Sequence, residues 1–224
     1  MNYVVATIKS WNIKEFQQQK KKLPGQWFLL TDPEKLTLEF LRAVRPRYIF
    51  FPHWSWKVSE VIINEFECVC FHMTDLPFGR GGSPLQNLII LGIENTKLTA
   101  LRMTKEIDAG PIYNKVSLSI EGSAQQIFER AAKLVYELIE QLVNYEVKAH
   151  EQAGDVVYFQ RRMPEQSEVP SGLSDNQLYN FIRMLDADSY PRAFIKQNGL
   201  KYQLSQAEVN ERGRICAQVE IIRE

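Results

Sequence analysis

Cys68-Val69-Cys70-Phe71-His72-Met73-Thr74-Asp75-Leu76-Pro77-Phe78-Gly79-Arg80-Gly81-Gly82-Ser83-Pro84-Leu85-Gln86 decides how this chain is read. An apolar run, Val69 to Phe71, ends on His72. A loop rich in Pro and Gly follows, with Arg80 inside it, and an apolar segment resumes at Leu85. The pattern predicts a strand, a constrained loop and a helix. Open α/β sheets bind ligands at the carboxyl ends of their strands, so a histidine delivered there is a candidate for chemistry.

Upstream, Tyr3 to Ile8 and Gln26 to Leu30 read as short buried strands. Between them lie a turn, Lys9 to Asn12, and a helical stretch, Ile13 to Leu23, broken by Pro24-Gly25. Asp32-Pro33 reads as a helix start, with Asp as N-cap and Pro at the first helical position. Pro46 ends that helix and Tyr48 to Phe51 makes a third strand; a loop, Pro52 to Lys57, and a short helix, Ser59 to Phe66, lead into the strand Glu67 to Phe71. This βαβαβ order predicts an α/β protein with a mainly parallel sheet and right-handed crossovers. Downstream come a helix (Pro84 to Gly92), a strand (Thr96 to Met103), a turn around Asp108 and an alternating strand (Ile112 to Ile120). Ser123 to about Glu151 reads as the longest helix. After Gln152 the sequence is aperiodic until a capping box, Ser174 with Gln177, and a hairpin at Asn198-Gly199. Residues 1–152 are expected to form the main domain. Residues 153–224 are expected to form a small subdomain of surface segment, helix and β-hairpin, which could pair between subunits of a homodimer.

The chain carries 27 Lys and Arg against 27 Asp and Glu. A protein built around tRNA or DNA usually shows a basic surplus, so no nucleic-acid partner is expected. Cys68 and Cys70 share one face of a strand, a spacing that suits neither a disulfide nor a metal site. Small thiols in a reducing compartment, no signal peptide and no apolar run of membrane-spanning length read as a cytoplasmic protein with neither metal nor membrane contact.

Of the histidines, His150 reads as a solvated residue near the end of the long helix, and His53 lies in a strand-end loop. Asp108 is either a turn aspartate bonded to its own backbone or a carboxylate that orients His72 or takes a proton. Gly79, Gly81 and Gly82 fit neither a P-loop nor a dinucleotide fingerprint. Trp54 and Trp56 are either half-buried packing or the walls of a slot for a flat heterocycle.

His72 to Gln86 resembles the first signature of the folate-dependent formyltransferases, and Ile107-Asp108-Ala109-Gly110-Pro111 resembles the second. Arg161 to Ser167, Asn180 to Arg183 and Tyr190 to Phe194 are similar to the members that act on sugar nucleotides, especially a short bacterial type linked to pseudaminic-acid-like sugars of surface polysaccharides. That type resembles the formylation domain of a peptide synthetase. The resemblance implies a Rossmann-like formyltransferase domain that moves a formyl group from 10-formyltetrahydrofolate to the amine of a nucleotide-linked aminosugar, UDP-linked by expectation. His72 and Asp108 would be catalytic. Cys70 stands where the family keeps an asparagine. Trp54, Ser55, Trp56, Thr104, Lys105 and Glu106 match where relatives hold the folate. Lys9, Trp11, Asn12, Arg80, Gly81 and Arg183 match the acceptor side. Two alternatives stand beside this reading: formyl transfer to methionyl-tRNA, against which the neutral charge and the lack of a full C-terminal barrel weigh, and a non-catalytic folate- or nucleotide-binding protein.

Overall fold

Parallel strands buried on both faces read as continuous apolar runs, and three such runs build the centre of this protein. The computed structural model describes residues 1–223. In chain order the elements are β1 (Asn2–Ala6), α1 (Ser10–Gln19), β2 (Gln26–Leu30), α2 (Leu38–Val44), β3 (Pro46–Phe51), α3 (Glu60–Glu65), β4 (Cys68–His72), β5 (Arg80–Gly81), α4 (Pro84–Ile90), β6 (Asn95–Arg102), β7 (Ile112–Ser119), α5 (Ala124–Asn144), β8 (Tyr158–Phe159), α6 (Asp175–Arg183), β9 (Ala193–Gln197), β10 (Leu200–Val209) and β11 (Ile215–Arg223). The main sheet runs β2-β1-β3-β4-β6-β7. β1 pairs in parallel with β2 and β3, and β3 with β4, whereas β4 meets β6 antiparallel. Val4, Val5, Ile49, Phe50 and Val69 are wholly buried.

The chain leaves β1 towards β2 on one side and reaches β3 on the other, so the strand order reverses beside β1. The carboxyl ends there form the crevice where such sheets take ligands. Lys9 and the start of α1 follow β1, the loop from Pro52 to Lys57 follows β3, and His72 closes β4.

Two compact units can be distinguished. The first comprises 1–81, 96–118 and 129–158; the second comprises 82–95, 119–128 and the chain from Phe159 on. In the second unit Ser174 and Gln177 form the expected capping box at α6, a device worth about 1 kcal/mol. The antiparallel sheet there has the order β11-β10-β9.

The structure moves several expected boundaries. α1 begins at Ser10, so Ser10, Trp11 and Asn12 form its first turn instead of a free loop. Asp32 caps only a 3-10 turn, Pro33–Lys35; α2 starts afresh where the Thr37 hydroxyl accepts the Phe40 N–H at 3.2 Å. α5 stops at Asn144, and further on the chain bridges to β7 instead: Ile112 N–H donates to His150 O at 2.7 Å and His150 N–H to Ile112 O at 2.9 Å. The hairpin at Asn198-Gly199 gains a third strand, β11, beyond a turn in which Asn210 Oδ1 accepts from Arg212 and Arg214 N–H, each at 3.0 Å. Among the described residues no helix is long and apolar enough to cross a membrane.

Candidate functional site

β4 lies between β3 and β6, which fixes the backbone of His72, and the residue is 8% exposed. The loop after it is held firmly. Thr99 Oγ1 donates to Thr74 O at 2.7 Å, and Lys115 Nζ reaches Asp75 Oδ1 and Leu76 O, each at 2.5 Å. Gly79 and Arg80 N–H both donate to Val157 O at 2.9 Å. This brings Gly79 O to 2.7 Å from His72 Nε2. A carbonyl can only accept, so Nε2 carries a proton.

The other ring nitrogen, Nδ1, faces Asp108 Oδ2 at 3.4 Å. A bare imidazole nitrogen and a carboxylate are both acceptors and would repel, so the contact is favourable only with a proton between them. The contact sets the two groups side by side, where a proton could pass from one to the other. Asp108 reaches it from the loop before β7 with a left-handed backbone, φ 55. Its Oδ2 also accepts the Gly81 N–H at 3.0 Å. Two residues on, Gly110 passes so close to β6 that a Cβ would fall 1.8 Å from Arg102 O.

Arg80 is 9% exposed. Its Nε and Nη2 donate to Gln152 Oε1 at 3.1 and 2.8 Å, and its Nη1 lies 3.6 Å from Glu106 Oε1. Tyr158 OH donates to the same Glu106 oxygen at 3.2 Å. Cys70 lies two residues before His72 on the same strand face. Burial, then the Asp108 charge, pushes its thiol well above the ordinary range, so it stays a neutral S–H and a weak donor.

In the expected folate loop, Trp54 and Trp56 rings lie 5.1 Å apart at 58°. Trp54 packs against Phe51 at 5.9 Å, and its Nε1–H is buried with no partner. Trp56 is 44% exposed and Ser55 is exposed. Thr104 Oγ1 donates to Glu106 O at 3.0 Å, and Lys105 reaches Glu60 at 3.5 Å on the surface.

At the start of α1, Lys9 Nζ lies 5.5 Å from the Trp11 ring, and burial lowers its pKa. Trp11 meets His53 edge-on at 5.4 Å. Asn12 is 3% exposed with Oδ1 unpartnered. His53 was not singled out as a site residue, yet the fold sets it beside Trp11. Arg183 belongs to the other unit. Its Nη1 donates to Ile120 O at 2.7 Å and Gly122 O at 2.8 Å, and its Nε to Asn180 Oδ1 at 2.7 Å. Sequence reasoning also passed over Gln152, which lies in an aperiodic stretch with no local signal. Among the described residues no group of three or more His, Cys, Asp or Glu could hold a metal ion.

A family model described as the methionyl-tRNA formyltransferase C-terminal domain matches residues 164–222, and a solved formyltransferase matches the chain from end to end. With that end-to-end match and a histidine facing a carboxylate at the end of a central strand, the chain belongs to the formyltransferase family. Within that family it is similar to the methionyl-tRNA formyltransferase of Clostridium thermocellum. That match has 45% identity, covers 100% of both chains and gives a TM-score of 0.96. The methionyl-tRNA formyltransferase of Thermotoga maritima is 28% identical over 72% of this chain and 55% of its own. The chain spans about half the length of the curated relatives it matches.

These matches overturn the nucleotide-aminosugar acceptor, its link to pseudaminic-acid-like sugars, and the expectation of no nucleic-acid partner. A 4-N formyltransferase from Francisella tularensis shares only 13% identity at a TM-score of 0.68 and covers 98% of this chain and 96% of its own. That likeness speaks for the fold alone. The neutral charge misled because a total reports nothing about distribution, and phosphate contacts need only a few local cations and N–H groups. The C-terminal segment misled because residues 164–222, whose sheet has only three strands, nonetheless match a methionyl-tRNA formyltransferase C-terminal domain.

Proposed function

We infer that this protein transfers a formyl group from 10-formyltetrahydrofolate to the amino group of methionyl-tRNA. The observation that carries the reading is the His72–Asp108 pair, with Nδ1 3.4 Å from the carboxylate, beside the sheet crevice. The acceptor rests on the end-to-end similarity to a methionyl-tRNA formyltransferase.

The folate supplies the formyl carbon and an amine nitrogen as leaving group. The residues of the expected folate loop suit it: two tryptophans suit a flat heterocycle, and the partnerless Trp54 Nε1–H offers a hydrogen bond. Thr104, Lys105 and Glu106 would border the same ligand. Asp108 accepts the proton that the acceptor amine loses on forming its new C–N bond, and His72 returns a proton to the nitrogen released. His72 Nε2–H, bonded to Gly79 O in this structure, turns to the formyl oxygen as negative charge grows there. Donors aimed at developing charge are the largest single contribution in many such sites. Cys70 adds only a weak S–H donor. Lys9, Trp11 and Asn12 would line the acceptor side, with Arg80 and Gly81 next to the reacting groups.

The test is acid gel electrophoresis of methionyl-tRNA incubated with the protein and 10-formyltetrahydrofolate. Formylated product from wild type and none from His72→Ala is the expected result. Equal product from both, or none from wild type, overturns the reading; tetrahydrofolate binding without turnover would leave a folate-binding protein.

A further inference from the structure

Gln152 uses every hydrogen-bonding position of its side-chain amide, and each goes to the machinery around His72. Its Oε1 accepts from Arg80 Nε at 3.1 Å and Nη2 at 2.8 Å. Its Nε2 donates to Asp108 O and to Gly110 O, each at 2.8 Å. The partners lie 72, 44 and 42 residues away in sequence. One amide thus ties the Arg80 loop to the two peptide carbonyls that flank the Asp108 turn. Asp108 itself holds a left-handed backbone, φ 55, a conformation that persists only where its surroundings impose it.

We propose that Gln152 is a positioning residue for formyl transfer, clamping Arg80 and the Asp108 turn in one geometry so that the Asp108 carboxylate faces His72; this rests on the formyl-transfer reading above. The clamp needs an amide. A carboxylate of the same length keeps the acceptor for Arg80 but turns lone pairs towards two carbonyls, and a thioether keeps the shape and loses both arms. Gln152 touches neither His72 nor Asp108's carboxylate, so it acts on kcat through the residues it holds.

The experiment compares wild type, Gln152→Met and Gln152→Glu in formyl transfer, with melting temperature as a check on folding. Both variants are expected to lose about tenfold to a hundredfold in kcat, while KM for the folate donor stays within about threefold. Arg80→Ala combined with Gln152→Met is expected to be little worse than the worse single variant, because the two side chains form one unit. A kcat within about twofold of wild type in either variant, or additive losses in the double variant, overturns the proposal. A second measurement is independent of turnover and of variant folding: proton exchange of the Arg80 Nε–H in nitrogen-15-labelled wild type. Slow exchange is expected; exchange as fast as in a free guanidinium overturns the clamp. A wild type without turnover would sink the formyl-transfer reading, and the exchange measurement would still decide whether the clamp exists.

Discussion

Gly81 and Asp108 are joined by a backbone-to-carboxylate bond: the Gly81 N–H donates to Asp108 Oδ2 at 3.0 Å. The same oxygen lies 3.4 Å from His72 Nδ1. The loop that carries Arg80 thus aims the carboxylate, and the carboxylate aims the imidazole. Asp108→Asn separates the charge from the scaffold, since asparagine tolerates the left-handed backbone. It keeps an amide oxygen for Gly81 but cannot accept a proton. The expected loss in kcat is about a hundredfold to a thousandfold with little change in melting temperature. Single-turnover kinetics on the folded variant check it, and a loss smaller than tenfold would remove Asp108 from the proton path.

The thiols give a second prediction. Burial pushes Cys68 up to about 12 and Cys70 well above its ordinary range, while Cys216 is exposed. Only the thiolate reacts, and for Cys68 at pH 8 it is roughly one part in ten thousand. Iodoacetamide should therefore label Cys216 alone under native conditions, and all three after unfolding. Peptide mass spectrometry reads the sites; fast labelling of Cys70 would mean that its neighbourhood holds a thiolate.

The stretch from Cys68 to Gln86 carried most of the fold legibly, because strand, loop and helix there follow local rules. An apolar run ends on His72, Gly and Pro turn the chain, and Pro84 opens α4 at a helix start. Two motifs also named His72 and Asp108 before their contact was visible. What stayed hidden depends on distant partners. Gln152 has a role only through residues far away in sequence. α5 ends at Asn144, and His150, expected within it, bridges to Ile112 instead. β11 was legible, since Ile215, Ala217, Val219 and Ile221 alternate with Cys216, Gln218 and Glu220, the period-2 pattern of a strand; the hairpin signal at Asn198-Gly199 drew attention to two strands only. The acceptor was missed for a related reason: charge totals carry no geometry.

A third prediction concerns acid stability. Burial, with the Lys9 charge adding to it, lowers the His53 imidazole to about 3. The unfolded chain binds a proton near pH ~6.5 that the folded chain refuses. Stability from neutral His53 is therefore complete above about pH 6.5 and is lost as pH falls towards the folded value. The ceiling is about 1.4 kcal/mol per pH unit, and the true slope is smaller because the ring keeps some access to solvent. His53→Asn suits the left-handed backbone, φ 52, and does not titrate. Its melting temperature should fall less steeply than that of wild type between pH 7 and pH 4; parallel curves would show that His53 does not resist protonation.

The last prediction tests the close approach under Asp108. At Gly110 an added Cβ would sit 1.8 Å from Arg102 O and 3.1 Å from Thr104 Cγ2. The first contact is with backbone at the end of β6, so no side chain can swing away to relieve it. The strand end or the Asp108 turn must shift; Arg102 is held in the sheet opposite Val69, whereas the turn is held by the Gln152 side chain, which can give way. Gly110→Ala should therefore destabilise the protein by about 1–3 kcal/mol and lower kcat by about a hundredfold through displacement of Asp108. Gly199→Ala is the comparison. It carries the strain of a positive φ, 72, but meets nothing within 4 Å, and it lies in the β9–β10 turn. It should cost about 1 kcal/mol and leave kcat unchanged. Equal kcat in the two variants, at melting temperatures that show both folded, would mean that the Asp108 turn tolerates displacement and that its geometry is not what the reaction depends on.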